Sequence, residues 1–171
     1  NITLTKGGFP AHYGGRLSSV VDIRLKEGNM KEFKASGSIG LIASKITLEA
    51  PIINDKTSFI VSARRTYLDV LARPVIRAIN KQNGNEGMSG YYFYDLNAKI
   101  NHKFSDKDRL YLSAYLGKDK LFSSNEEQKI ENDTSYQTRD ESSLYWGNLT
   151  TALRWNHVYG SKMFSNMSLI Y

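Results

Sequence analysis

The residues that could carry out chemistry are few and far apart in this sequence. The three histidines, His12, His102 and His157, do not form a metal-binding His-Glu-x-x-His pattern, and the absence of cysteine excludes a thiolate zinc site and a cysteine nucleophile. Neither a Gly-x-Ser-x-Gly elbow nor a phosphate-binding Gly-Lys-Ser/Thr loop occurs. The sequence therefore predicts no enzyme: no catalytic residues, no metal site and no cofactor.

Two glycine pairs flank an aromatic segment near the start of the chain. Gly7-Gly8 precede the residues Phe9 to Tyr13, and Gly14-Gly15 follow them. A glycine-rich loop can bind a nucleotide when it joins a strand to a helix and has an acidic partner, and those features are missing from this part of the sequence. The nucleotide-loop interpretation is therefore weak, and we interpret Gly14-Gly15 as a tight turn in which glycine permits a positive φ.

The composition excludes several classes of protein. Of the 171 residues, 40% are hydrophobic and 23% are charged, which indicates one folded domain and not a disordered chain. The net charge is +6, but Phe122 to Glu141 carries six carboxylates against two cations, so no face is purely basic and we predict no nucleic-acid partner. Because no signal-like segment opens the chain, we expect it to be part of something longer.

Apolar and polar residues alternate with a period of two, in runs longer than an ordinary globular strand. The clearest run is Tyr91 to Phe104, which a turn at Ser105 to Asp108 connects to a second run in a hairpin. The sequence predicts seven such strands in all, at residues 33–41, 45–53, 59–64, 91–104, 109–116, 143–158 and 163–171.

The connections between these strands differ in length in a regular way. Those at Asn54, Ser105 and Tyr159 have three or four residues, whereas Tyr67 to Gly90 and Phe122 to Glu141 each form a loop of some twenty residues. Short turns at one end and long loops at the other are typical of outer-membrane barrels. The strand lengths also suit tilted spanning strands of about 9 to 11 residues. This pattern predicts an all-β antiparallel transmembrane barrel fragment.

Aromatic spacing gives an independent indication. Tyr94 and Phe104 are ten residues apart on the apolar parity, and so are Tyr145 and Trp155. At roughly 3.3 Å per residue and a tilt of about 40°, ten residues rise about 25 Å, which is the height between the aromatic girdles of such barrels. The alternative is that these rings fill the core of a soluble sheet, since aromatic residues are good strand formers.

The two parities of the strands predict two different environments. The parity without charge through its middle should contact lipid, and it contains Leu96, Ala98, Ile100, Leu110, Leu112, Leu149 and Leu153. The opposite parity should line a wet lumen, and it contains Glu49, Arg64, Asp95, Asn97, Lys99, Lys103, Arg109, Asn148 and Arg154.

An apolar stripe at i, i+3 and i+4 predicts a short amphipathic helix within Tyr67 to Asn80, which Pro74 starts or kinks. One interpretation is that the helix seals hydrophobic surface at the barrel rim. The other is that Arg73, Arg77 and Lys81 on its polar side meet a ligand or lipopolysaccharide phosphates.

The most specific motif lies between Lys6 and Asn29. This segment reads KGGFPAHYGGRLSSVVDIRLKEGN and closely resembles the end of the plug domain of TonB-dependent outer-membrane receptors, especially those of Bacteroidetes. In that family the pattern Gly-x-x-Pro-Ala-x-Tyr-Gly-Gly-Arg-Leu-Ser-Ser-Val precedes the last plug strand, here expected at Ser19 to Leu25. The residues that carry the motif are Pro10, Tyr13, Gly14, Gly15 and Arg16.

The resemblance implies a division of the chain and a function. Residues 1–29 would be the C-terminal part of the plug, and residues 30–171 the N-terminal part of the barrel, in the outer membrane of a Gram-negative cell. Such receptors import a large nutrient, here an iron chelate, corrinoid, glycan or peptide, when the TonB complex pulls on the plug. The implied partners are outer-membrane lipid, the TonB complex through a region N-terminal to these residues, a surface lipoprotein and the nutrient.

A second function class stays open beside transport. The chain could belong to a non-transporting β-rich module that binds a ligand or mediates adhesion. A requirement for detergent during folding would favour the membrane barrel over a soluble module of this kind.

Overall fold

The computed structural model describes residues 2–8, 13, 15, 18–23, 25–82, 86–131 and 134–171. These residues form two antiparallel sheets and one helix. The smaller sheet pairs β1 (Ile2–Lys6) with β2 (Ser19–Ile23). The larger sheet contains β3 (Lys34–Ile39), β4 (Ala43–Ile53), β5 (Thr57–Thr66), β6 (Glu86–Lys103), β7 (Asp108–Glu131), β8 (Thr134–Gly160) and β9 (Met163–Ile170), and α1 (Leu68–Gln82) connects β5 to β6.

The predicted all-β antiparallel fold is confirmed, and the larger sheet has the expected seven strands in chain order. It is open, because within the described residues β3 pairs only with β4 and β9 only with β8. The smaller sheet differs in detail from the expectation. Its strand β2 ends at Ile23, before Leu25, and the sequence did not predict its partner β1.

The register of the larger sheet separates apolar from polar side chains. One row across the sheet joins Phe59, Ile100, Leu112, Leu153 and Leu169 through directly paired positions. Because side chains of directly paired residues point to the same face, these residues share a face, and the residues between them along each strand lie on the other.

The apolar face has no covering layer within the described part of the chain. Leu112 is 49% exposed, Leu149 53% and Leu169 72%, although all three lie inside regular strands. The one hydrophobic side chain that is buried among the described residues, Tyr111, lies on the polar face. The larger sheet therefore does not build the interior of a soluble sandwich by itself.

Aromatic and cationic residues border the apolar face at both ends. Towards α1, Lys118 lies 5.6 Å from the ring centroid of Tyr145, and Lys120 lies 4.9 Å from it. At the opposite end, the rings of His157 and Tyr159 meet edge to face at 4.3 Å. We call the aliphatic region between the row of Tyr94 and the row of Trp155 the apolar band.

The connections occupy the two ends as the sequence predicts, with one addition. Tight turns at residues 54–56, 104–107 and 161–162 lie at one end, which we call the turn end. The helix α1 and the paired ends of β7 and β8, at Glu131 and Thr134, lie at the other. The three-residue connection 40–42 also lies there, and the Tyr67 amide donates to the carbonyl of Ile42 at 3.0 Å.

The prediction of a long loop from Phe122 to Glu141 is wrong. The strands β7 and β8 continue through it and pair as far as Glu131 and Thr134. We call residues 122–131 and 134–141 of these strands the arm, which is two-stranded beyond the last β6 pairing at Glu126. The register places Glu126 opposite Arg139, with Oε1 and Nε 3.5 Å apart. Cross-strand pairs of opposite charge stabilise such a ladder, so high polarity does not prevent strand formation here.

The predicted helix is confirmed and runs slightly further than expected. Its first turn begins with the Tyr67 carbonyl, which accepts hydrogen bonds from the amides of Val70 and Leu71, both at 3.0 Å. Pro74 lies inside α1, where it lacks an amide to donate. No helix among the described residues is both long enough and apolar enough to cross a bilayer.

Asp108 organises the turn end between β7 and β8. Its Oδ1 lies 2.5 Å from Nδ1 of His157 and 3.3 Å from Nε1 of Trp155, and its Oδ2 accepts from the Ser105 hydroxyl at 3.1 Å. The hydrogen bond with His157 lowers the pKa of Asp108 below its ordinary value, and partial desolvation opposes this shift.

We expect this carboxylate to make the turn end sensitive to acid. Because its folded-state pKa is depressed, Asp108 contributes stability that is present above its ordinary pKa of 3.8 and is lost as the pH falls through the folded-state value. The difference in thermal unfolding midpoint between the wild type and Asp108→Asn should therefore shrink in that acidic range. Asp140→Asn, on the exposed arm, is the control. A difference that stays constant at every pH would contradict the assignment.

Candidate functional site

The segment between the two sheets, residues 25–33, is here called the linker, and it crosses the polar face of the larger sheet. The Glu27 carbonyl accepts hydrogen bonds from Nδ2 of Asn101 at 2.5 Å and from Oγ of Ser58 at 3.1 Å. The same Ser58 hydroxyl lies 3.4 Å from the Gly28 carbonyl. Ser58 and Asn101 are both fully buried. The linker backbone is thus held by two neighbouring strands, β5 and β6.

The side chain of Glu27 adds charge contacts to this attachment. Its Oε2 lies 3.4 Å from Nη1 of Arg109, and its Oε1 lies 4.0 Å from Nζ of Lys99. Lys99 is almost completely buried, whereas the carboxylate of Glu27 stays partly exposed. The carboxylate balances two cations that neighbouring strands bring to the polar face.

Gly28 allows the linker to lie directly on β5. Its φ is +84°, a value that residues with a Cβ rarely adopt. A Cβ added here would also lie 2.6 Å from the carbonyl oxygen of Phe59. A glycine is therefore required here for two independent reasons, the backbone conformation and the closeness of the neighbouring strand.

Next to the linker, Tyr111 is flanked by two cations. Nζ of Lys99 lies 5.0 Å from its ring centroid, and Cζ of Arg154 lies 4.6 Å from it. Such contacts stabilise cations that are partly removed from water. Arg154 and Asn156 border a cavity of about 610 Å³ between β2, the linker and strands β6 to β9. The buried Nε of Arg154 and Oδ1 of Asn156 have no hydrogen-bond partner among the described residues.

A second polar cluster lies nearer to α1 on the same face. Arg64 contacts Asp95 through two nitrogens, Nε at 2.8 Å and Nη2 at 2.6 Å from Oδ2. The guanidinium of Arg64 also lies 5.1 Å from the ring centroid of Phe93. This ion pair joins β5 to β6 beyond the reach of the linker.

The nine polar residues expected to line a lumen all lie on one face of the larger sheet, since they occupy paired positions of the same parity. They do not form one cluster. Lys99, Arg109 and Arg154 surround the linker and Tyr111, whereas Arg64 and Asp95 form the separate pair. The remaining four are Glu49, Asn97, Lys103 and Asn148, and Lys103 pairs with Asp106 of the adjoining turn at 2.5 Å.

The plug motif lies only partly within the described residues. Pro10, Gly14 and Arg16 fall outside them, so the role expected for Arg16 stays a prediction. Gly15 has a φ of +72°, as expected for a turn glycine, and Tyr13 lies two positions before it in the chain. The boundary expected at residue 29 stays a prediction as well.

Sequence reasoning did not identify the residues that hold the linker, above all Glu27, Gly28, Ser58 and Asn101. Ser58 and Asn101 lie on the polar parity, and the sequence alone indicates that both side chains are solvated. The only available signal was the pair Glu27-Gly28 just before the first strand of the larger sheet, because glycine beside a charged residue is typical of a turn.

The described residues contain no group of three or more histidine, aspartate or glutamate side chains that could hold a metal ion. Comparison of the chain with protein-family models, curated proteins and solved structures gives no significant match. The arrangement on the polar face provides attachment between two sheets through buried hydrogen bonds and partly hydrated ion pairs.

We expect Gly28→Ala to release the linker from β5. The added Cβ meets the Phe59 carbonyl, and the positive φ adds strain of about 1 to 3 kcal/mol. Lys26 and Lys31 are already exposed, but the backbone beside them is held against the sheet; once the linker is released, limited trypsin digestion should cleave it faster. The matched control is Gly15→Ala, which has a similar positive φ but no atom within 4 Å of an added Cβ. Equal cleavage of the linker in both variants would contradict the close-approach argument.

We expect the backbone hydrogen bonds of the linker to contribute more than its ion pairs. Asn101→Ala removes one of the two donors to the Glu27 carbonyl and the amide that donates to the fully buried Ser58 hydroxyl at 2.7 Å, which costs about 1 to 3 kcal/mol. Glu27→Gln removes the partly hydrated contact with Arg109, worth only about 0 to 1 kcal/mol, and a contact with Lys99 that is already as long as 4.0 Å. Denaturant unfolding shows directly which of the two variants loses more free energy of unfolding. A larger loss in Glu27→Gln would show that charge and not backbone attachment dominates.

Proposed function

We propose that this chain is part of a TonB-dependent outer-membrane transporter. In this proposal the larger sheet is a section of the barrel wall, and the smaller sheet is the end of the plug. The transporter imports a large nutrient, an iron chelate, corrinoid, glycan or peptide, by energy-coupled rearrangement of the plug. The single observation that carries the proposal is the exposed apolar band, which lies on the face opposite the attached linker.

The dimensions of the apolar band support a membrane wall. Tyr94 in β6 and Phe104, just after the end of β6, lie ten positions apart, and Tyr145 and Trp155 lie ten apart in β8. This separation corresponds to about 25 Å for strands tilted by about 40°, which is the apolar height of an outer-membrane barrel. A soluble module has no physical reason to expose an aliphatic surface of this height between two rows of aromatic residues.

The polar face supports the assignment of the smaller sheet to a plug. The linker reaches this face, so the smaller sheet is attached on the side that would become the lumen. A cavity of about 610 Å³, which Asp22 and Ile23 border, lies between the smaller sheet and strands β6 to β9, so the described part of this sheet is not tightly packed against them there. A plug held in this way can be rearranged while the linker stays attached to the wall.

The open edges of β3 and β9 fit a section of a larger barrel. An uncovered strand edge presents free amide and carbonyl groups, which pair readily with another strand. In the proposal, further strands pair with these edges and close the wall. The TonB complex acts from the turn end, and a surface lipoprotein would meet the end that carries α1 and the two-stranded arm.

The arm also favours a second candidate function, a surface module that binds a ligand or mediates adhesion without transport. It extends β7 and β8 well beyond the apolar band and carries exposed charges such as Arg139 and Glu141. Measuring TonB-dependent uptake by whole cells distinguishes the two candidate functions. Cells that carry the intact protein should lose import of one nutrient class when TonB is inactivated if it is a transporter, and should keep ligand binding alone if it is an adhesion module.

We expect lipid and water exposure to alternate along residues 110–116. Leu112→Lys should destabilise the inserted protein by about 2 to 4 kcal/mol, because it places a charge near the bilayer midplane. The matched control is Asn148→Lys, at an exposed position of the polar face. Since the chain has no cysteine, single spin labels can be placed at each position without background. Uniform accessibility on both parities would overturn the proposed wall.

A further inference from the structure

The helix α1 packs against the start of β6 with one side only. Nδ2 of Asn80 donates to the Gly87 carbonyl at 2.6 Å, and Oδ2 of Asp69 lies 3.8 Å from Nη2 of Arg65. A Cβ built on Gly90 would lie 3.1 Å from the Cβ of Asp69, so this strand position faces the first turn of the helix. These contacts place α1 beside residues 87–90 of β6.

The side of the sheet that α1 contacts is the side of the apolar band. Gly90 has the same parity as Tyr92, Tyr94 and Leu96, whose side chains continue the band along β6. A Cβ built on Gly90 would also meet the ring of Phe122, the residue of β7 that pairs with Gly90. The helix therefore lies just beyond the edge of the band, on the face away from the linker.

The surface between the band and the helix is continuous. A groove of about 1010 Å³ on the larger sheet is lined by apolar residues such as Ile46, Ala63 and Leu96, and it reaches Arg65. Arg65 in turn contacts Asp69 in the first turn of α1. The groove therefore extends the surface of the band as far as the Arg65–Asp69 ion pair at the base of the helix.

The two free sides of α1 have opposite character. Leu68, Leu71, Val75 and Ile79 are all exposed and follow one another at three- and four-residue intervals, which places them along one stripe. At 100° per residue, the exposed cations Arg73, Arg77 and Lys81 occupy the opposite side of the helix. An exposed apolar stripe opposed by cations is the pattern of a helix that lies at a membrane surface.

We propose that α1 is an interfacial helix that binds the anionic lipid surface next to the barrel wall. Its apolar stripe enters the boundary of the acyl chains, and Arg73, Arg77 and Lys81 bind phosphate groups of the lipid headgroups. This inference rests on the proposed function, since it needs the apolar band in a bilayer. It assigns these cations to lipid and not to the imported nutrient, because α1 lies on the face opposite the polar lumen side.

Two spin labels test the inference separately from the proposed function. The intact protein is reconstituted in phosphatidylcholine vesicles with and without phosphatidylglycerol, carrying a single label at Val75 or at Leu112. Collision with oxygen reports lipid, and collision with a water-soluble nickel chelate reports water. We expect both labels to favour oxygen, and the Val75 label to do so several-fold more strongly when phosphatidylglycerol is present.

The outcomes distinguish the two claims. If Leu112 is in lipid while Val75 is in water in both vesicle types, the interfacial helix is wrong and the membrane wall stands. If Leu112 is in water, both are wrong. If Val75 is in lipid regardless of phosphatidylglycerol, the stripe inserts but the assignment of the cations to phosphate is overturned.

A matched pair of triple variants tests the cations directly. Arg73→Gln, Arg77→Gln and Lys81→Gln combined should remove the several-fold effect of phosphatidylglycerol at Val75. The control combines Lys56→Gln, Lys107→Gln and Lys162→Gln, which removes the same charge from the tight turns at the opposite end. It should leave the Val75 response unchanged. An equal loss in both triple variants would overturn specific phosphate binding by α1.

Discussion

The register of the larger sheet is the constraint on which the rest of the structure depends. A shift of one residue between any two strands would move the aliphatic side chains of one strand to the face that carries the linker. The buried hydrogen bonds of Ser58 and Asn101 would then point away from Glu27. The apolar band, the attachment of the linker and the position of α1 are therefore consequences of one strand pairing pattern.

Features that depend on neighbouring residues in the chain could be predicted from the sequence. The alternation of β4 to β9 appears directly in the order of the residues, because a strand presents side chains to its two faces in turn. The helix α1 was equally visible, since its apolar residues recur at helical spacing. The tight turns at Asn54 and Ser105 follow from polar, turn-forming residues between two apolar runs.

The features that could not be predicted depend on contacts between distant parts of the chain. Asn101 is 74 positions from Glu27, and nothing in its surroundings shows that its amide is buried against a backbone carbonyl. The two-stranded arm was mistaken for a loop because its residues are polar on both faces, which removes the signal by which strands are recognised. The strand β1 is too short to be recognised from its own residues, and it is defined by its pairing with β2, which lies further along the chain.

The pairing of β1 with β2 determines how the smaller sheet would respond to mechanical load. Ile2 lies opposite Ile23, so the first residue of β1 is next to the end of β2 from which the linker departs. Tension between Ile2 and the anchored Glu27 would act across the hydrogen bonds and open them one after another, from Ile23 towards Ser19. Such unzipping meets low resistance at each step, whereas sliding two strands past each other must break all the bonds together. The attachment of the linker to the larger sheet would stay loaded but intact while the smaller sheet peels apart.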